Sequence, residues 1–364
     1  MKSSQLPVVV HVTTGLGPSV PFLVADRLCT LAAEAARALM AEGESENTVR
    51  TYRTALRYWD AWFALRYGGD IALPLPVPVV LQFIVDHAQR MGDHGLTSEL
   101  PRPVDQALVD GGYKAALGPP ALATLVQRLS VLSKLHQLKD VANPCRDPAV
   151  RELLAKTRRA YSKRGVRTNK KAALTKDPLA AMLATCDDSL RGVRDRALLL
   201  FAWSSGGRRR SEVTSAQIED LNRVQPGVFA FTLRRSKTNQ AGHDCDDDVK
   251  PVVGLAAEAL QRWLVRSRVS GGAIFRRVRS GGVVGEPLTP SAVRRIVQAR
   301  ALQAGLRAEF SAHSLRSGFV TEAARQKVPI GETMAMTGHT SVATVMGYFR
   351  AAASINSRGA RLLD

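Results

Sequence analysis

Residues 311–326 read SAHSLRSGFVTEAARQ, and residues 338–349 read GHTSVATVMGYF. In the first stretch His313 and Arg316 stand three apart. On a helix, predicted from about His313 to Gln326, that spacing puts both side chains on one face. A further helix is expected over Pro329 to Thr337. In the second stretch His339 follows Gly338 at a helix break, and Tyr348 lies nine residues beyond it on a last helix starting near Thr340. Upstream, GGRRRSEV holds Arg209 and Glu212 at the same spacing, just after a paired-glycine turn. Lys237 sits in LRRSKTNQAG, between a strand expected over Val228 to Leu233 and Gly242, which suits a hairpin tip; Lys250 to Val253 is the expected return strand. Each piece alone has an ordinary reading. An HxxR pair is often a surface or cap pairing, a lone tyrosine on an apolar helix is often core, a lysine in a turn is usually solvated, and Arg209 with Glu212 is an adequate helix ion pair.

Working outward, helices are expected at Leu174 to Cys186, at Val193 to Trp203, and from Thr289-Pro290 to Ala304 with Gly305 closing the last. The region from residue 173 to 364 is therefore mostly helical with a small sheet. The N-terminal part reads differently. Residues 1–22 carry no strong pattern and form an arm. Helical periodicity starts at Leu28, Leu31, Ala32 and Ala35. A helix from Glu46 to Tyr67 has Ser45 as its N-cap and an apolar stripe of Val49, Tyr52, Leu56, Trp59 and Phe63. Others follow Pro78, span Ala121 to Leu138, and run from Asp147-Pro148 to about Tyr161. Residues 91–119, rich in glycine and proline, read as a long loop, which makes this first domain all helical. The divisions are an arm at 1–22, a helical domain at 23–162, a basic linker at 163–172, and a second domain at 173–364. The fold class is mainly α with a small β-sheet.

The length, 364 residues, exceeds one ordinary compact core and fits two domains. Lysine and arginine number 51 against 32 acids, a formal charge of +19, which predicts a polyanionic partner, nucleic acid first and an anionic membrane second. Apolar runs such as Ala197 to Trp203 are far too short to cross a bilayer. Cys29, Cys145, Cys186 and Cys245 are scattered without a CxxC pair, which disfavours a zinc site and a disulfide framework and fits a reducing, cytoplasmic compartment. Residues 156–171 hold eight basic side chains and no acid. Within this run Lys163, Arg164, Arg167, Lys170 and Lys171 lie where a linker along DNA phosphates gains directly; the alternative is a solvated linker.

Taken together, the chemical residues resemble one family, the tyrosine recombinases or phage-type integrases. That family's order of Arg, hairpin Lys, HxxR, His or Trp, and Tyr appears here as Arg209, Lys237, His313 with Arg316, His339 and Tyr348. RDRALLLFAWSSGGRRRSEV, SAHSLRSGFVTEAARQ and GHTSVATVMGYF are similar to the family's boxes. The family places its arginine two residues before Ser-Glu, which selects Arg209 among Arg208, Arg209 and Arg210. The resemblance covers the second domain and, more loosely, residues 45–163, where it implies a helical core-binding domain. It further implies a two-domain, C-shaped clamp on double-stranded DNA, a 3′-phosphotyrosine product with a free 5′-hydroxyl, and assembly into dimers and tetramers on DNA. Arg350 to Asp364 resemble the tail that family members dock onto a neighbouring subunit.

The chemistry suits these side chains without a cofactor. Attack on a phosphodiester builds charge on the nonbridging oxygens, and two permanently charged, fork-shaped guanidiniums match that charge where many nucleases use two divalent metals. His313 is the candidate proton acceptor, Lys237 the candidate acid, and Glu212 the residue that orients Arg209. The aspartates at 244, 246, 247 and 248 are unexpected beside a phosphate site, and they lack the spacing and glycine of an EF-hand. Two other readings remain: a type IB topoisomerase that relaxes one duplex, and a noncatalytic DNA-binding regulator on the same fold.

Overall fold

A computed structural model describes residues 43–93, 95–166, 171–234, 248–306 and 310–353. The expected arm at 1–22, the periodic segment at 28–35, Lys237, Arg167, Lys170, Asp244, Asp246, Asp247 and residues 354–364 lie outside them. The chain divides into two units, Met1–Arg167 and Thr168–Asp364.

In the first unit, α1 (Glu46–Tyr67) begins where the Ser45 hydroxyl accepts the Thr48 N–H, and it ends at Gly68 in the left-handed region. α2 (Val77–His87) follows. The structure corrects the long loop expected over 91–119. It contains an antiparallel hairpin of β1 (Arg90–Gly92) and β2 (Gly95–Thr97), and then α3 (Arg102–Asp110). Pro101 and Pro103 read as breakers, but a proline in the first turn of a helix costs little because that N–H has no partner anyway. Fully buried Leu108 anchors this short helix, so packing decides what local punctuation obscured. α4 (Leu122–Leu138) and α5 (Pro148–Lys163) complete the unit. Its core is aromatic: Trp59 stacks on Phe83 at 3.6 Å, and Trp62 meets the same ring edge-on at 4.9 Å. Burying one such phenylalanine contributes about 1.5–3 kcal/mol.

In the second unit, α6 (Lys176–Ala184) and α7 (Leu190–Ser204) precede the paired-glycine turn and the short α8 (Arg210–Ser215). β3 (Leu221–Gln225), β4 (Val228–Thr232) and β5 (Val249–Val253) form an antiparallel sheet in sequence order. Side chains alternate across it, so Phe229, Phe231 and Val252 point into the core. α9 (Leu255–Ser267) packs on α7. The ribbon of β6 (Arg276–Val278) and β7 (Val284–Pro287) leads to α10 (Pro290–Gln303), whose N-cap Thr289 accepts the Ala292 N–H. α11 (Ala312–Arg325), α12 (Ile330–Thr337) and α13 (Val342–Ala353) finish the described chain, with α11 packed against α13.

Candidate active site

Close backbone approach builds the site. Gly206 and Gly207, at φ +98° and +69°, form the turn between α7 and α8. A Cβ on Gly206 would lie 2.0 Å from the Met336 carbonyl oxygen, and one on Gly207 would lie 2.3 Å from the Arg316 Cα. Only glycine therefore fits, both for its dihedrals and for its size. This turn brings the arginine box against the middle of α11 and the end of α12. From the other side, the Leu174 N–H donates to the Ser314 carbonyl at 2.9 Å, and Gly318 lets the Leu174 backbone lie directly on α11.

The three consecutive arginines separate. Arg210 is exposed. Arg209 keeps 26% of its side chain accessible, and its Nη1 donates to Glu212 Oε1 at 2.6 Å while its N–H donates to Glu212 Oε2 at 3.0 Å. Arg208 is buried, 1% exposed, with its Nη1 3.6 Å from Glu212 Oε2 and its Nη2 donating to the Met336 carbonyl at 2.5 Å. Glu212, itself buried, thus binds two guanidiniums.

Arg316 is 4% exposed. Its Nη1 faces the Gly207 carbonyl at 3.5 Å, and its Nη2 is buried with no partner among the described residues. Burial, then the charges of Arg209 and Arg208, lower its pKa to about 10, against the pull of Glu212 and Tyr348. It remains a cation at neutral pH. A buried donor without an acceptor costs on the order of 1–3 kcal/mol, and more when charged. An incoming anion removes that cost.

His313, one turn before Arg316, is open to solvent on one side. Partial desolvation of its ring, with Arg316 and Arg209 nearby, lowers its pKa below the ordinary histidine value. His339 follows Gly338, the left-handed C-cap of α12, and its Nδ1 lies 2.7 Å from the Thr337 hydroxyl. Burial, then Arg316, Arg209, Arg208 and His313, push its pKa down to about 4. Tyr348 lies half-buried on α13, close enough to act electrostatically on Arg316.

The structure therefore brings Arg209, His313, Arg316, His339 and Tyr348 together, with Glu212 behind Arg209; Lys237 lies outside the described residues. Two buried cations beside this group were not among the expected site residues, Arg208 and Lys250. Lys250 is 2% exposed, and its Nζ donates to the Ala335 carbonyl at 2.6 Å. The sequence carried a signal for it. In VKPVV strand alternation puts Lys250 on the same inward face as Val252. Of the basic run, Lys163 and Lys171 are exposed. Arg164 is engaged within its own unit, its Nη2 donating to the Gln89 carbonyl at 2.9 Å and its guanidinium 4.4 Å from the Tyr161 ring centre.

Among the described residues no helix is long and apolar enough to cross a membrane. A curated integrase/recombinase xerD homolog from Selenomonas ruminantium is 27% identical over 322 residues, 86% of this chain and 84% of the relative. The fold resembles the Tn1549 transposon integrase in complex with transposon right end DNA, with a TM-score of 0.54 and 13% identity over 91% of this chain and 98% of that one. It also resembles a lambda integrase tetramer bound to a Holliday junction, with a TM-score of 0.51 and 16% identity over 89% of this chain and 78% of that one. Residues 172–354, which hold Arg209, Glu212, Lys237, His313, Arg316, His339 and Tyr348, match the phage integrase family, and the chain belongs to that family, the tyrosine recombinases.

Proposed function

We propose that this chain is a site-specific recombinase that cleaves and rejoins double-stranded DNA through a 3′-phosphotyrosine, with Tyr348 as nucleophile. The observation that carries this reading is Arg316, a buried guanidinium with one nitrogen unspent, next to Arg209, two low-pKa histidines and a tyrosine. Arg209 and Arg316 hold the nonbridging oxygens of the scissile phosphate, and Glu212 orients Arg209. The Tyr348 oxygen attacks phosphorus and the bond from phosphorus to O5′ breaks. Neutral His313 takes the tyrosine proton, and Lys237 gives a proton to the leaving 5′ oxygen. His339 donates a hydrogen bond to the developing phosphorane. Donors aimed in advance at such charge contribute several kcal/mol each in the transition state. The phosphotyrosine keeps the bond energy, so a 5′-hydroxyl from a second duplex rejoins without ATP.

Exchange between two duplexes needs more than one subunit. The likeness of fold to an integrase seen as a tetramer on a Holliday junction supports dimers and tetramers on DNA, with residues 350–364 as the docking tail. Lys163, Arg167, Lys170 and Lys171 are the proposed phosphate contacts of the linker, with Arg164 helping to hold its first turn.

The test traps covalent adducts on genomic fragments in excess EDTA and sequences the attached DNA. The wild type is expected to yield adducts at a defined sequence, and Tyr348→Phe none, with site binding retained. Adducts formed by the Phe variant, or activity lost in chelator and restored by magnesium, would overturn the reading.

A further inference from the structure

We propose that Arg208 and Lys250 are positioning residues that jointly pin the last turn of α12 and so fix where His339 sits, an inference that rests on the role given to His339 above.

A helix leaves its last four carbonyls without intrahelical partners. At the end of α12 three of these are taken in three different ways. The Met334 carbonyl accepts the Gly338 N–H at 2.7 Å, the Ala335 carbonyl accepts Lys250 Nζ at 2.6 Å, and the Met336 carbonyl accepts Arg208 Nη2 at 2.5 Å. The last turn of α12 holds no basic residue of its own. Its cations come from β5 and from the turn before α8, segments separated from it by more than eighty residues of chain. Charge-assisted bonds of this kind are about twice as strong as neutral ones, and a cation at a helix C-terminus also meets the negative end of the dipole.

The anchor points lie three and four residues before His339, and the Thr337 hydroxyl carries the restraint to the ring itself. Arg208 also shares Glu212 with Arg209, so one buried side chain joins the phosphate-holding arginine to the helix that presents His339. Stability alone is a poor account of this arrangement. Lys250 takes an inward sheet position beside Val252, opposite Phe231, and the buried Nε of Arg208 has no partner among the described residues. Apolar side chains at both places would fill the core without the desolvation cost of two cations.

The test is a double-mutant cycle with a second readout that needs no DNA. Single-turnover cleavage, DNA affinity and thermal melting are measured for Arg208→Met, Lys250→Met and His339→Ala, and for each Met variant combined with His339→Ala, on the duplex recovered by adduct trapping. Deuterium exchange of residues 334–339 is followed in the free protein. Each Met variant is expected to slow cleavage roughly 10- to 100-fold, as small misplacements do, with affinity unchanged within about twofold. Neither should slow the His339→Ala enzyme further, exchange at 334–339 should rise in both, and Arg208→Lys should recover part of the rate. Slowing that multiplies with that of His339→Ala, or unchanged exchange at 334–339, overturns the proposal. If Arg208→Met does not fold, Arg208→Lys and Lys250→Met carry the same cycle. If His339→Ala cleaves at the wild-type rate, the role of His339 fails, and exchange alone then decides whether the pin exists.

Discussion

The described histidines of the two units are used in opposite ways. In the helical unit His87 and His136 are fully buried, and both ring nitrogens of each are spent. His87 Nδ1 donates to the Phe83 carbonyl and its Nε2 accepts the Tyr58 hydroxyl, each at 2.7 Å; His136 Nδ1 donates to the Leu132 carbonyl at 2.9 Å and its Nε2 accepts the Leu75 N–H at 3.1 Å. In the second unit, His313 has no side-chain hydrogen bond among the described residues, and His339 has one, to Thr337. All of these rings sit near charge or within apolar surroundings, and His87 and His339 both have depressed pKa values, about 3 and about 4. A perturbed pKa therefore does not separate structure from chemistry here. What separates them is hydrogen-bonding capacity left free toward open space.

That contrast can be broken by exchange of roles. His313→Ala and His339→Ala are expected to lower the single-turnover cleavage rate by roughly 10²–10⁴-fold while leaving the melting temperature nearly unchanged. His87→Ala is expected to cost about 2–4 kcal/mol of stability through a cavity and an unsatisfied Tyr58 hydroxyl, with the rate per folded molecule unchanged. Calorimetry beside cleavage assays checks both, and a crossed result removes the distinction.

Lys237 sharpens the comparison from the side of the leaving group. Lys237→Ala is expected to slow cleavage by about 10²-fold or more on an ordinary phosphodiester. It should approach the wild-type rate when sulfur replaces the bridging 5′ oxygen, because a thiolate leaves without a proton. Arg316→Ala should stay slow on both substrates, since charge stabilisation is still missing. Equal help to wild type and Lys237→Ala would remove Lys237 as the acid.

The buried ring of His87 also predicts a pH dependence. An unfolded chain protonates His87 near its ordinary value of about 6.5, whereas the folded ring refuses the proton until about 3, chiefly because it is desolvated. The contribution of His87 is thus fully present above about 6.5 and is lost as pH falls from there towards 3. Urea unfolding across that range should show a steeper acid loss in the wild type than in His87→Phe, and parallel curves would contradict the assignment. The smallest effect concerns the linker. Neutralising Lys163, Arg167, Lys170 and Lys171 is expected to weaken specific and nonspecific binding by similar factors. The slope of log affinity against log salt should flatten by about 0.9 for each phosphate that is no longer neutralised. An unchanged slope would make the run a solvated connector.

Much of the architecture was readable without coordinates. Ser45 before an apolar stripe marked α1, Thr289-Pro290 marked α10, and Gly338 marked the break before His339, because caps and breakers act within a few residues of chain. The hairpin at 90–97 and α3 were not readable, since glycine and proline there signal turns locally while the burial of Leu108 is a tertiary matter.

Order and spacing, read through the family resemblance, proposed the chemical groups: an arginine before Ser-Glu, HxxR on one helical face, a histidine after a helix break and a tyrosine on the next helix. Helical periodicity and capping are local, so those placements needed no fold. The environment of each group belonged to the tertiary structure. It decided that of three adjacent arginines Arg210 faces solvent, Arg209 faces the site and Arg208 is buried against the Met336 carbonyl, and that Arg316 keeps one nitrogen free. Those outcomes depend on Gly206 and Gly207 lying directly on backbone more than a hundred residues away, a close approach that no local pattern encodes.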